Sequence, residues 1–432
     1  MTSSNKKNLM LATNTNLSNL SLNTDQLASN SFQTSQNLAS SLDNSNSIYG
    51  LGSNSSSPSL QVQSPSTVQT QAVTAPAKTS PNPNPNPYIT SAAITPDFNG
   101  DGKTDQVWAD TKTGEIMIRL MNGTQVLQQG SLGNFDLSAY TYQIADFNGD
   151  GKTDFLLRNK TTGQNTIVLM DGTKVASMTA LTTLDPAWTP EIGDFNGDGK
   201  TDIFWHDTKT GQNAIWLMNG TTILSSTALD TTDAALTPTI VDFDGNGKSD
   251  IFWRNPTTGA NSVWFMDGTQ ETQLGLQSQD AAWTPTLGDF NGDGKTDILW
   301  RDAQTGQNQI WLMNGIVVTQ GTMQTLDSTW TPQIGDFNGD GKTDIFWHNS
   351  KTGENTAWLM NGTTVATQAL LPTNSASLTP YLGDFNGDGK TDIYWRNQST
   401  GADDIWTMNG TTETDNPIAT ADQLDSDWSL LT

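Results

Sequence analysis

The sequence predicts an all-β fold: a seven-bladed β-propeller of four-stranded antiparallel blades behind an N-terminal tail. Three observations predict it. A nonapeptide, most often Asp-Phe-Asn-Gly-Asp-Gly-Lys-Thr-Asp, starts at Asp97, Asp146, Asp194, Asp242, Asp289, Asp336 and Asp384. Successive starts lie 49, 48, 48, 47, 47 and 48 residues apart, and a fixed period in this range marks a repeat architecture. Each period also has the pattern of four short strands, which make one propeller blade.

Residues 1–80 are rich in Ser, Asn, Thr, Gln and Leu, with almost no aromatic and very few charged residues. Such a stretch buries too little apolar surface to offset its ordering entropy, so it is expected to be disordered. Near its start, Lys6 and Lys7 precede Leu9-Met10-Leu11-Ala12. That run is shorter than the ~7–15 residues of a secretory apolar core, so no conventional signal peptide is expected. Residues 81–87 alternate proline with asparagine, which favours an extended, semi-rigid spacer. The propeller is expected over 88–432.

The third repeat shows the plan. Thr189-Pro190-Glu191-Ile192-Gly193 reads as a first strand entering the nonapeptide. Asp202 to His206 is a second strand, apolar on both faces as a buried strand should be. A turn at Thr210-Gly211 leads to a third, Ala214 to Met218. Asn219-Gly220 then signals a two-residue hairpin of the I′ kind before a fourth strand from Thr221 to about Ala228. Pro190, Pro238, Pro285, Pro332 and Pro380 all begin first strands. Proline lacks a ladder donor and belongs on a sheet edge, so the first strand is expected to be innermost, beside the central channel. Ring closure has two candidates. Leu424-Asp425-Ser426-Asp427-Trp428 copies Leu184-Asp185-Pro186-Ala187-Trp188, the run before an inner strand, and Tyr88 to Thr95 occupies the same slot in blade one.

Composition narrows the function. The chain has 432 residues, no cysteine and only two histidines, His206 and His348. Thiol chemistry is excluded and a histidine-based zinc or catalytic centre has little material. The net charge of −25 disfavours nucleic acid and anionic membranes as partners, and no stretch approaches the ~20 apolar residues of a membrane-spanning helix. The acidity has a local source, since the nonapeptides supply 21 of the 45 acidic residues. Seven divalent cations carry fourteen positive charges and would bring −25 to −11.

The nonapeptide offers hard oxygen donors at positions 1, 3, 5 and 9, with a free backbone carbonyl at 7. Calcium needs such a set, and glycine at 6 permits the sharp turn. The candidate ligands are Asp97, Asn99, Asp101, Lys103 and Asp105 in the first loop, and Asp146, Asn148, Asp150, Lys152 and Asp154 in the second. Asp194, Asn196, Asp198, Lys200 and Asp202 follow, then Asp242, Asp244, Asn246, Lys248 and Asp250, where the third and fifth positions exchange Asp and Asn. The last three loops give Asp289, Asn291, Asp293, Lys295 and Asp297; Asp336, Asn338, Asp340, Lys342 and Asp344; and Asp384, Asn386, Asp388, Lys390 and Asp392. Each lysine would contribute its carbonyl. A metal-free Asx and glycine turn is the alternative, but a turn has no need of three carboxylates whose mutual repulsion is costly without a cation. Magnesium fits less well, because it prefers a tight octahedron with retained waters. Position 12 is not the bidentate Glu of an EF-hand but a strand residue, usually Trp.

Asp-x-Asn-Gly-Asp-Gly-x-x-Asp hairpins repeated in propeller blades resemble the FG-GAP and VCBS repeats, related to the calcium hairpins of integrin α-subunit propellers. The resemblance covers 88–432 and departs from integrins in having the loop in all seven blades. It implies an extracellular, secreted or cell-surface protein that binds calcium and a carbohydrate or protein surface. In some members it implies a calcium-dependent polysaccharide lyase.

Tryptophans recur in the second strand (Trp108, Trp205, Trp253, Trp300, Trp347, Trp395), in the third (Trp216, Trp264, Trp311, Trp358, Trp406) and before the inner strand. They read as packing between blades or as platforms for sugar rings. The pairs Trp205-His206, Trp253-Arg254, Trp300-Arg301, Trp347-His348 and Trp395-Arg396 are candidate ligand-binding residues; a stacked cation satisfying a buried turn explains them equally. No acid, base or nucleophile stands outside the repeat as an asymmetric constellation, and Glu115, Glu191, Glu271, Glu354 and Glu413 are expected to be scattered and exposed, so no enzyme is expected. Ligand specificity is expected where blades differ.

Overall fold

The computed structural model describes residues 95–136 and 138–431. The tail of 1–80, the spacer of 81–87 and most of the candidate closing segment from Tyr88 lie outside the described residues. The described chain forms seven four-stranded antiparallel sheets. Blade three is typical: Trp188–Gly193 is innermost, followed outward by Asp202–Asp207, Asn213–Asn219 and Thr222–Leu229. Blade one differs in origin. Its inner strand is Trp428–Leu431, from the end of the chain, paired with Gln106–Asp110 through Val107↔Leu431 and Asp110↔Trp428. Of the two candidates for closing the ring, the C-terminal segment therefore fills the slot.

Strand character follows position in the blade. The second strand lies between two neighbouring blades, and Asp202–Asp207 is buried at every residue. The outermost strand Thr222–Leu229 alternates exposed and half-buried residues, the period-2 signature of one solvated face. The hairpin between the third and fourth strands differs from the expected Asn-Gly turn. Asn219 pairs with Thr222, which leaves Gly220 and Thr221 as the loop. Gly220 (φ 60°) takes the first loop position, where a II′ turn demands glycine. Among the described residues the core divides into seven clusters, one in each seam between blades.

Two rings of backbone hydrogen bonds join the blades. The eighth residue of each loop donates its N–H to the first aspartate carbonyl of the preceding loop: Thr153 to Asp97 (2.8 Å), Thr201 to Asp146 (3.0 Å), Ser249 to Asp194 (2.8 Å), and Thr296 to Asp242, Thr343 to Asp289 and Thr391 to Asp336 (each 2.7 Å). Thr104 to Asp384, at 2.7 Å, closes the circle. The hairpin glycines donate in parallel to the phenylalanine at position 2, as in Gly220 to Phe147 (2.8 Å) and, across the closure, Gly123 to Phe385 (2.7 Å). In blades three, five, six and seven the residue before the loop is glycine and the next blade's Ser or Thr packs under it, while Ala145 and Val241 hold the slot in blades two and four. A Cβ on Gly335 would lie 2.6 Å from Thr391 Cγ2 and 2.7 Å from its Oγ1.

Gly335→Ala should therefore destabilise the ring by about 1–3 kcal/mol, the usual cost of overpacking. Gly275→Ala, whose Cβ would meet nothing within 4 Å, should be nearly silent. Urea unfolding of the two variants checks the contrast.

Candidate functional site

Each nonapeptide folds around its own carboxylates. In the third loop Asp194 Oδ1 accepts the N–H of Gly197 (2.7 Å) and of Asp198 (3.2 Å), and Oδ2 accepts that of Gly199 (2.7 Å). Asn196 Oδ1 accepts the Asp198 N–H at 2.8 Å, and Asp198 Oδ1 accepts the Lys200 N–H at 3.0 Å. These inward N–H groups need left-handed residues at positions 4 and 6, supplied by Gly197 (φ 76°) and Gly199 (φ 80°). The ninth residue does a different job. Asp202 Oδ2 accepts the Phe195 N–H (3.1 Å) and Oδ1 accepts the Met218 N–H (2.7 Å), so one buried carboxylate ties the loop to the second and third strands. Asp105, Asp154, Asp250, Asp297, Asp344 and Asp392 make the same two bonds.

The loops are electrostatically unbalanced. Burial pushes the ninth-position carboxyls up to about 7 for Asp105, Asp154, Asp202 and Asp344, and to about 8 for Asp250, Asp297 and Asp392. Backbone N–H groups oppose the rise, and the neighbouring loop aspartates add to it. Burial likewise raises first-position Asp97, Asp146, Asp242, Asp289, Asp336 and Asp384. In five loops the seventh-position ammonium pairs with a carboxylate other than these two. Lys342, Lys390 and Lys295 reach the fifth-position Asp340 (3.2 Å), Asp388 (3.3 Å) and Asp293 (3.5 Å), while Lys152 and Lys248 reach the hairpin residues Asp171 and Asp267.

This donor set fits a hard cation. In the fourth loop one carboxylate oxygen each from Asp242, Asp244 and Asp250 lies within 4.8 Å of the others. That loop carries a carboxylate at position 3, where the other six place an asparagine amide. Every oxygen is hard, and those accepting a single N–H, such as Asp194 Oδ2, keep a second lone pair.

The ten candidate ligand-binding residues lie in the seams between blades. Trp205, Trp253, Trp300, Trp347 and Trp395 are each 0% exposed, so no face of these indoles is open to solvent. Each cation sits over the second-strand indole of the following blade: Arg254 over Trp300 (4.5 Å to the ring centre), Arg301 over Trp347 (4.9 Å) and Arg396 over Trp108 (4.8 Å). His206 and His348 pack edge-on against Trp253 and Trp395, each at 5.3 Å. The guanidinium groups also clamp the chain entering the next inner strand. Arg301 Nη2 donates to the carbonyls of Asp327 (2.7 Å) and Trp330 (2.8 Å). The first residue of the third strand completes the motif and was not singled out from sequence. Asn308 Oδ1 accepts from Arg301 Nη1 at 2.8 Å, and Asn213 Oδ1 lies 2.8 Å from His206 Nδ1. Its signal was there, a constant seven-residue offset from the cation. In blade seven Asp403 takes this place and forms a buried ion pair with Arg396 at 2.9 Å.

Glu191, expected to be exposed, is half-buried in the inner strand of blade three and enclosed on most sides. Gln143 and Gln333 hold the same slot and donate to the carbonyls of Pro190 (3.1 Å) and Pro380 (3.0 Å) in the next blade. Burial pushes Glu191 from 4.5 up to about 7.

A family model described as FG-GAP-like repeat matches residues 97–157, 146–205, 194–253, 242–300, 289–347 and 336–395. No curated protein matches the chain. Among solved structures, a lectin from Agrocybe aegerita, described by its specific recognition of non-reducing terminal N-acetylglucosamine, is similar with a TM-score of 0.61 at 15% identity, covering 78% of this chain and 96% of that one. A chain of the Photorhabdus luminescens Tc holotoxin pore gives a TM-score of 0.44 at 16% identity over 74% of this chain and 17% of its own. A functionally unknown protein from Desulfotomaculum acetoxidans gives 0.44 at 11% identity, over 73% of this chain and 95% of its own. At these identities the likeness is one of fold.

Two outcomes follow from this geometry. Arg301→Leu should cost about 2–4 kcal/mol of stability in urea unfolding, because it strands several buried carbonyls bonded to a charged donor, and Arg301→Lys should restore only part of it for want of a planar fork. A carboxyl with a raised folded pKa contributes fully below its unfolded value, near 4.5 for Glu191, and loses that contribution as the pH climbs through about 7. Glu191→Gln should therefore melt with the parent near about pH 4 and above it near about pH 8, as calorimetry at the two pH values would show.

Proposed function

The chain belongs to the FG-GAP-like repeat family, and we propose that within it the protein is a calcium-loaded propeller, secreted or displayed at the cell surface, that binds a glycan or protein surface without catalysing a reaction on it. The observation that carries this reading is the loop geometry: seven turns, each with three aspartates, whose ninth carboxylate is buried in every turn and whose first is buried or half-buried in the same loop. Calcium would be held by the side chains at positions 1, 3, 5 and 9 and the carbonyl at 7, as in Asp194, Asn196, Asp198, Asp202 and Lys200. When bound, it supplies the positive charge that these carboxylates lack. The residues themselves do the structural work, since the same aspartates accept the N–H groups that shape the loop and anchor it to two strands. Sites of this kind commonly load at the calcium levels found outside cells, which supports an extracellular setting.

A glycan is placed first among ligands because a lectin shares the fold. The sevenfold sameness of the loops suits them to holding the ring together, and the surfaces on which the blades differ are where a ligand would be chosen. A calcium-dependent polysaccharide lyase or hydrolase is the competing class.

Removing calcium with a chelator should lower the melting temperature by about 10 °C or more. Each loop saturated a hundredfold above its dissociation constant contributes about 2.7 kcal/mol, and 1 kcal/mol is worth about 1–2 °C in a chain of this size, because unfolding entropy grows with length. A shift of only a degree or two would overturn the metal assignment. A glycan array probed with and without chelator should show calcium-dependent binding, and release of unsaturated or reducing sugar ends from polysaccharides would show an enzyme instead.

A further inference from the structure

Five of the seven seams are filled by two tilted or edge-on indoles, one from the second strand and one from the third: Trp205 with Trp216, Trp253 with Trp264, Trp300 with Trp311, Trp347 with Trp358 and Trp395 with Trp406, at 4.9–5.2 Å between ring centres. The closing seam keeps one, Trp108, and puts Arg119 in place of the other. The seam between blades one and two keeps neither. Leu157 and Val168 stand in the two tryptophan slots. The cation and its partner are gone as well, since Ala109 replaces the Arg or His and Ile116 the Asn.

A pocket opens at this seam, and both substituted residues, Leu157 and Val168, line it. It is open to solvent at its mouth, and its walls expose only apolar surface. Tyr142 and Phe155 line the seam where blades three to seven carry proline and isoleucine; they recover part of the lost volume and leave the rest. All the lining side chains are aliphatic or aromatic, with no charged group among them. The mouth differs from every equivalent surface. On the outer strand, the residue paired with the third-strand slot is Gln129, Ser226, Gln273, Gln320, Gln368 or Asp415 in the other blades. In blade two it is Met178, 54% exposed, beside Val175, 41% exposed.

We propose that this pocket is a binding site for a flat, uncharged aromatic molecule of about the size of an indole. The shape argument comes from the sibling seams, where aromatic rings held by the same backbone fill the corresponding space. The chemical argument is that apolar walls give water no hydrogen-bond partner, so an aromatic guest that covers them releases water at little cost. Exposed Met and Val at its rim supply an apolar approach, and methionine adapts to ring edges at little cost. The site is distinct from the metal loops and does not depend on their being loaded.

The full-length chain titrated with indole tests this, read by saturation-transfer NMR and calorimetry. A single saturable site with a dissociation constant of about 1 mM or tighter is expected, with a melting temperature that rises with indole. Val168→Trp, which refills the slot from within, should weaken binding at least about tenfold while the melting temperature holds or rises. Should that variant fold poorly, Met178→Gln carries the test, because its side chain is exposed and the other blades already hold polar residues there; it should weaken indole binding several-fold without changing stability. No saturable binding, or binding that both folded variants leave unchanged, overturns the proposal.

Discussion

The ring depends on a backbone hydrogen bond from the eighth residue of each loop to the first aspartate carbonyl of the loop before it. It recurs in every seam at 2.7–3.0 Å, including the one between the last blade and the first. A bond of this kind fixes distance and direction at once, so it sets the same step from blade to blade and brings the seventh blade back onto the first. Glycines pack under Thr104, Ser249, Thr343 and Thr391, while the same bond forms beside Ala145 and Val241 in blades two and four. Seven blades of nearly one length and one loop close when the C-terminal strand Trp428–Leu431 completes blade one.

The same nonapeptide carries the charge of the molecule, and its aspartates divide the labour. The first shapes the loop by accepting three N–H groups, and the ninth joins the loop to two strands from a fully buried position. Burying such carboxylates side by side is unfavourable unless something positive shares the site. The structure places no lysine ammonium of a loop against its own ninth aspartate among the described ion pairs. Architecture and proposed metal binding are thus the same set of atoms, which is why the loop is uniform while the seams are not.

The seams show how far residue type alone can be read. Tryptophan beside Arg or His in five second strands suits a sugar platform and a packed stack equally, because both need an aromatic face and a planar cation. What separates them is whether the ring faces solvent, and that depends on a blade some 48 residues away. The fully buried indoles, the cations stacked over the next blade's Trp, and the guanidinium bonds to carbonyls of the entering strand place these residues inside the ring. Glu191 shows the same limit, since a lone glutamate in a strand gives no hint that its neighbours enclose it. The hairpin type was misread by one residue, because Asn-Gly is also the sequence of a strand end followed by a II′ glycine.

By itself the sequence determined whatever is local and repeated. Blade number, strand order within a blade and the inner place of the proline strand all follow from a short pattern read seven times. Only the tertiary structure decided what joins distant residues. It gave the closing slot to Trp428–Leu431, which pairs with a strand more than 300 residues earlier. It gave the ninth aspartate its second tie, turned the cation slots inward, and left a space where Leu157 and Val168 stand for two tryptophans. The physical reason is common to all of these. The bonds that shape a loop around its first aspartate lie within its nine residues, whereas the fate of a seam residue is set by the face of the blade it meets.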